Sequence, residues 1–288
     1  MQVAALMKKP LGSLRDLLHE HISRKDEQRP PWRLHASDVT NDDGFCGRYP
    51  VLMKQFDIPL PVKNVTTSMA VTWEWGRLVE RRVIDWFAEM GLAHGDWSCE
   101  QRGCKHVHTW RTQPKICVKC GGDRFRYIEP RATSAHSGVS SGLDLLTRMP
   151  GRPLLTFTEI KSIDAEKFKQ LLAPLAEHRV RTALSLRNIA ESADPHMAEV
   201  DNQTAFTLYV SKGGYGTKTA IEGGFSPFKE YPVHRNDLMT EPYVTSARAA
   251  YLALKGEGPL PERLCKHHTD SRAQRCPAMA RCFKDWKP

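Results

Sequence analysis

No stretch of this chain approaches the ~20 apolar residues that a membrane-spanning helix needs, which excludes a helical membrane anchor within it. Glycine-rich fingerprints of flavin and nicotinamide enzymes are missing, and so are internal repeats and low-complexity tracts. Acidic residues are in deficit, 33 against 42 lysines and arginines, so the net charge is +9. That surplus points towards a polyanionic partner, nucleic acid above all. In the opening Met-Gln-Val-Ala-Ala-Leu-Met-Lys-Lys-Pro, charge follows a very short apolar run, the wrong order for a secretory signal. A cytoplasmic protein is the expectation, and there eight cysteines are metal ligands sooner than disulfides.

With 288 residues, 40% of them hydrophobic and 26% charged, the chain can build one large domain or two modest ones around a real core. Its most informative stretch is Gly142 to Lys161. Two apolar-rich runs flank Met149-Pro150-Gly151-Arg152, and Pro-Gly suits the centre of a type II turn, so the stretch reads as a β-hairpin. Side chains alternate along a strand, which puts Leu155, Phe157, Glu159 and Lys161 on one face. Pairing across the turn sets Asp144 opposite Phe157 or Glu159, on the Glu159 face in either case. Two carboxylates and a lysine then converge at one end of a half-buried hairpin. Divalent metals seek carboxylate oxygens held close together; an exposed acidic-basic ladder is the plainer alternative.

Around the hairpin, hydrophobic periodicity predicts helices over Leu11–Ser23 and Ser68–Met90, the second with an apolar stripe of Val79, Val83, Trp86, Phe87 and Met90. Glu80 lies at the edge of that stripe. Asp164 to Ala193 reads as helix interrupted at Pro174, with a basic series of Lys167, Lys169, His178, Arg179, Arg181 and Arg187. Gln203–Lys212 alternates as a strand, Phe228–Val233 can pair with it, and Pro242–Lys255 is helical with Gly256 as its cap. Asp123 to Ser141 is polar and reads as a connection.

The cysteines fall into two sets. Cys99-x4-Cys104 and Cys117-x2-Cys120-Gly-Gly make two close pairs able to close a tetrahedral thiolate shell around zinc, a zinc ribbon, with His106 and His108 as alternates. The segment is poor in apolar residues, reads as a separate unit, and leaves its folding energy to the metal. Its lysines and arginines can touch phosphate or simply be solvated. Cys265, Cys276-Pro277 and Cys282 suggest thiolate ligation of an iron–sulfur cluster. They need a fourth ligand, and Cys46 is the one cysteine left over. His267 and His268 keep a zinc site open there.

Asp144 followed by Glu159-Ile160-Lys161 resembles the PD-(D/E)xK nuclease signature. One cysteine upstream of that core and three near the C-terminus is similar to the iron–sulfur RecB-like nucleases, among them the CRISPR-associated exonucleases, their phage relatives and the AddB nuclease domain. The resemblance covers Cys46 to Cys282 apart from the ribbon. It implies an α/β fold, a RecB-like nuclease core with a mixed sheet flanked by helices, carrying a zinc-ribbon insertion and a four-iron, four-sulfur (4Fe-4S) staple. It implies a magnesium- or manganese-dependent deoxyribonuclease acting on DNA ends, single-stranded by preference, in recombination, phage replication or CRISPR-type processing. Gly76-Arg-Leu-Val-Glu80 fits the family's Gly-x-x-x-Glu helix, so Glu80, Asp144, Glu159 and the Ile160 carbonyl become the expected metal ligands and Lys161 the catalytic lysine. Arg179 and Arg181 are the expected DNA contacts. The chain departs from the family twice. Arg181-Thr-Ala-Leu-Ser185 stands where Gln-x-x-x-Tyr is usual, and ten residues separate Cys265 from Cys276 where two are usual.

The expected division is an N-terminal helix and linker (1–34), the front of the nuclease domain (35–95), the ribbon (96–130), the nuclease core (131–255) and the cluster segment (256–288). Two other readings fit the same composition: a non-catalytic nucleic-acid-binding protein on this scaffold, and an iron–sulfur redox protein. Binding alone has no need of the carboxylate–lysine set, and the redox reading lacks a partner fingerprint.

Overall fold

The computed structural model describes residues 18–283 apart from 20, 23, 28, 42–43 and 214–225. The helix expected over Leu11–Ser23 falls for the most part outside them. In chain order the elements are β1 (Arg24–Glu27), α1 (Ala36–Val39), α2 (Arg48–Gln55), β2 (Val62–Val65), α3 (Thr67–Glu89), β3 (Ala93–Cys99), β4 (Val107–Thr112), β5 (Phe125–Ile128), β6 (Arg131–Thr133), β7 (Ser140–Gly142), β8 (Leu145–Thr147) and β9 (Thr156–Ile163). They continue with α4 (Ala165–Gln170), α5 (Ala176–Ala190), β10 (Thr204–Ser211), β11 (Phe228–His234), α6 (Asp237–Lys255), α7 (Ser271–Gln274) and α8 (Met279–Cys282).

Seven strands form one mixed sheet in the order β11-β10-β9-β8-β3-β4, with β5 also paired to β3. The parallel pair is β9 with β10, and α5 lies in the connection between them. Strand alternation divides the core into two layers. On one face Ile160, Leu145, Leu208 and Val210 pack with Val83, Ile84 and Ala88 of α3. On the other, Phe157, Leu146, Leu155 and Ala205 pack with Leu186 and Ile189 of α5. A third layer, from α1, α2 and α6, covers the outside of α5. No described helix is long and apolar enough to cross a membrane.

Local chemistry explains the boundaries. Thr66 caps α3, its hydroxyl accepting from the Met69 N–H, and the helix ends one residue short of the expected Met90. Its buried stripe differs from the expected one: Val83, Ile84 and Ala88 are covered, while Trp86 and Met90 are exposed. Asp164 caps α4, and Pro174 separates α4 from α5 as expected. Helix α6 starts five residues before the expected Pro242, because Asn236 caps it by accepting from the Met239 N–H. Gly256, at φ 76°, ends it in the left-handed region that glycine enters without strain.

Two sequence expectations need correction. The stretch from Asp123 to Ser141 is not a connection; it holds β5, β6 and β7. The ribbon segment is not a separate unit either. Strands β3, β4 and β5 belong to the main sheet, and Cys99, Cys117, Trp97 and Phe125 share the core layer beneath α3. A count of aliphatic residues missed this, because cysteine and tryptophan supply the burial.

Candidate metal and nucleic-acid site

The hairpin brings its three chemical groups together. Backbone pairing of Leu145 with Thr158 and Leu146 with Phe157, continued by one step, sets Asp144 level with Glu159. The turn is as expected: Gly151 has φ 76° and the Arg152 N–H donates to the Met149 carbonyl at 3.2 Å. Asp144 Oδ2 accepts from the Ile160 N–H at 2.8 Å. Lys161 Nζ lies 2.6 Å from Glu159 Oε1 and 3.7 Å from Asp144 Oδ2, and donates to the Ile160 carbonyl at 3.2 Å. That carbonyl therefore faces the same point as the carboxylates. From the neighbouring layer, α3 delivers Glu80, whose charge is felt at Asp144.

The electrostatics are those of too many carboxylates around one ammonium. Burial, then the Glu159 charge, pushes Asp144 well above the usual carboxylate range. Glu80 is raised by burial and by the charge of Glu129. Burial works against Lys161, but the Glu159 and Asp144 charges outweigh it and raise its pKa. Lys161 is thus a fixed cation and hydrogen-bond donor, not a base. Hard oxygen donors in negative excess are what a divalent cation requires, and Asp144, Glu159 and the Ile160 carbonyl supply such donors around Lys161 Nζ.

This yields a test of sign. Carboxylates whose folded pKa is raised above the unfolded value contribute stability below the ordinary carboxylate range and lose it as pH rises through the raised pKa. The metal-free protein therefore loses this stability as pH rises, and a bound cation restores it. Adding magnesium should raise the melting temperature by several degrees at about pH 8 and by much less at about pH 5. Equal shifts at both pH values would deny the carboxylates this role.

Asp144, Glu159 and Lys161 line an open cavity of about 240 Å³, with Arg29, His35, Ser37, Arg131 and Arg181 on its walls. Arg181 and Ser185, one turn apart on α5, both line it. They are the two positions at which the chain departs from the Gln-x-x-x-Tyr pattern. Arg179 is exposed and is not among the lining residues. Two members of the expected basic series point inward. Arg187 bridges Glu191 and Glu241, each at 2.7 Å. His178 bonds Tyr209 Oη at 2.8 Å and is held neutral, its pKa lowered to about 4 by burial and by the charges of Lys161 and Arg181.

Sequence reasoning missed Glu129, Arg29 and Arg131. Glu129 and Arg131 flank the start of β6 in the stretch taken for a connection. The alternation of Phe125-Arg126-Tyr127-Ile128 was a strand signal just ahead of them.

At the far end of β3, four sulfurs converge. Cys99 Sγ is 3.6 Å from Cys120 Sγ and Cys104 Sγ is 3.9 Å from Cys117 Sγ, all four lying within 4.8 Å of one another. Ligands at about 2.3 Å in a tetrahedron around zinc stand about 3.8 Å apart, so the set is shaped for one such ion. Gly103 and Gly121, at φ 80° and 74°, turn the two loops. His108 lies close enough to Cys117 to help lower its pKa against the effect of burial.

Cys46, Cys265, Cys276 and Cys282 also converge, more loosely. The charge of Cys46 is felt at each of the other three. Burial is the first cause raising Cys265, Cys276 and Cys282. Cys276 and Cys282 pack with Leu52, Met53 and Ala278, and the Arg272 guanidinium ties the segment back to the Gly44 carbonyl at 2.7 Å.

No protein-family model matches the chain, and no curated protein matches its sequence. Among solved structures it is similar to the crystal structure of LHK-Exo in complex with dAMP, at 12% identity over 78% of this chain and 89% of that one, with a TM-score of 0.41.

Proposed function

We propose that this chain is a metal-dependent deoxyribonuclease that hydrolyses phosphodiesters at DNA ends. The observation that carries the reading is the meeting of Asp144, Glu159 and Lys161 at an open cavity walled by arginines, with Glu80 near enough to feel the charges of Lys161 and Glu159. Glu80, Asp144, Glu159 and the Ile160 carbonyl would hold magnesium or manganese. When bound, such an ion polarises the scissile phosphate and lowers the pKa of a water. Lys161, kept protonated by Glu159 and Asp144, orients the attacking water and stabilises charge developing on the phosphate. Arg29, Arg131 and Arg181 give the DNA backbone its countercharge.

Preference for single-stranded ends, and exonuclease rather than endonuclease action, rest on the RecB-like resemblance. Zinc in the Cys99 set and a 4Fe-4S cluster in the Cys46 set complete the proposal. The charge of Cys46, felt at each of the other three thiols, supports one shared centre there.

End-labelled single strand, duplex and closed circular DNA, incubated with manganese, test the activity. Mononucleotides or short fragments should appear from linear DNA while the circle survives. Cleavage of the circle at the same rate would reject the end requirement, and no cleavage of any of the three would reject the nuclease.

A further inference from the structure

Resting on the nuclease reading, we infer that Glu129 is a further carboxylate ligand of the divalent-metal centre, facing Glu80 across it. Three independent features place it there. The first is backbone register. Arg131 pairs with Gly142 across β6 and β7, and the Leu143 N–H donates to the Pro130 carbonyl at 2.9 Å. One more step sets Glu129 level with Asp144, which is itself level with Glu159. Three neighbouring segments thus each deliver one carboxylate at the same height.

The second feature is space. A Cβ added at Gly142 would meet Glu129 Oε1 at 1.3 Å. Gly142 is not in the left-handed region, so its backbone does not call for glycine. The missing side chain is what admits the carboxylate, two residues before Asp144.

The third feature is charge. Among the described residues Glu129 has no hydrogen-bond or ion-pair partner, yet it lines the cavity with Asp144 and Glu159. Its charge is the strongest that Glu80 feels, while Glu129 itself feels the opposing charge of Arg131 first and then the repulsion of Glu159. Two carboxylates that repel one another beside Asp144 and Glu159, with Lys161 engaged by those two, form a pair that a divalent cation satisfies.

Manganese binding, followed by the magnetic resonance signal of the free ion, tests this without recourse to cleavage. Glu129→Gln keeps the shape and loses the charge. It should bind manganese about 10- to 100-fold more weakly and, having lost no bond and shed a charge that burial disfavours, melt no lower than the wild type without metal. Gly142→Ala should weaken binding similarly by displacing the carboxylate, and the double variant should bind no worse than Glu129→Gln alone. Wild-type affinity in Glu129→Gln, with Asp144→Asn weakened, overturns the role of Glu129 and leaves the nuclease reading standing. Additive losses in the double variant also overturn it. Absence of manganese binding in the wild type removes both.

Discussion

Asp144→Asn should abolish cleavage without unfolding the protein. The asparagine oxygen can still accept from the Ile160 N–H, which holds Asp144 Oδ2 at 2.8 Å, so the local backbone keeps its partner. Only the negative charge is lost. A metal-centred hydrolysis that loses one ligand should slow by on the order of 10³-fold or more. DNA affinity rests on the arginine walls, so in calcium it should stay within about threefold of wild type. Stability should move the other way from activity. Asp144 is buried and its folded pKa is raised, so its ionised form opposes folding above that pKa. Replacing it should leave the metal-free protein as stable or more stable near neutral pH. Lys161→Ala should be equally inactive but less stable, because it leaves Glu159, 4% exposed, without its counter-ion at 2.6 Å. An active Asp144→Asn, with contaminating nucleases excluded, removes the site assignment and the enzyme reading together.

That contrast shows which parts of the site a sequence can carry. Asp144, Glu159 and Lys161 belong to one hairpin, and a period of two with one Pro-Gly turn was enough to put them on one face. The two registers left open for Asp144 were separated by loop length. Strand β9 begins at Thr156 because Leu155 donates instead to the Glu199 carbonyl at 2.8 Å, a partner far away in the chain. Glu80 was visible only through a family pattern, since a half-buried glutamate on a helix has no periodic signature of its own.

Glu129 and Arg131 were illegible for another reason. Their strands are short, and what buries them is distant. Phe125 pairs with Cys99 on β3, and the Tyr127 hydroxyl donates to the His94 carbonyl at 2.9 Å. Without the order of strands in the sheet, a polar stretch that includes Gly and Ser looks like a loop. Misreading the basic series on α5 has the same root. Helical periodicity cannot distinguish Arg181, which faces the cavity, from Arg187, which is enclosed between Glu191 and Glu241.

The largest expected effect on the fold itself comes from the second cysteine set. Cys46 precedes α2 and the other three cysteines surround α7 and α8, so one cluster would close a loop spanning most of the chain, where a constraint removes much unfolded-state entropy. Among the described residues these ends are joined by the patch of Leu52, Met53 and Ala278, Arg281 over the Phe56 ring, Arg272 on the Gly44 carbonyl and Arg48 on the Pro261 carbonyl at 3.4 Å. All four cysteines are free thiols, and burial pushes Cys265, Cys276 and Cys282 upward, so no covalent bond joins the two ends without a metal centre. Metal binding at such a site is folding free energy. Anaerobically prepared protein should be brown, and Cys282→Ala should be colourless and melt on the order of 10 °C lower. Metal analysis separates the two sets. Cys117→Ala with Cys120→Ala should lose one zinc and keep the colour, since the ribbon stands at the other end of β3 from the hairpin. A colourless wild type carrying two zinc ions would replace the cluster by zinc, whereas a brown Cys282→Ala of unchanged stability would remove that cysteine from the ligand set.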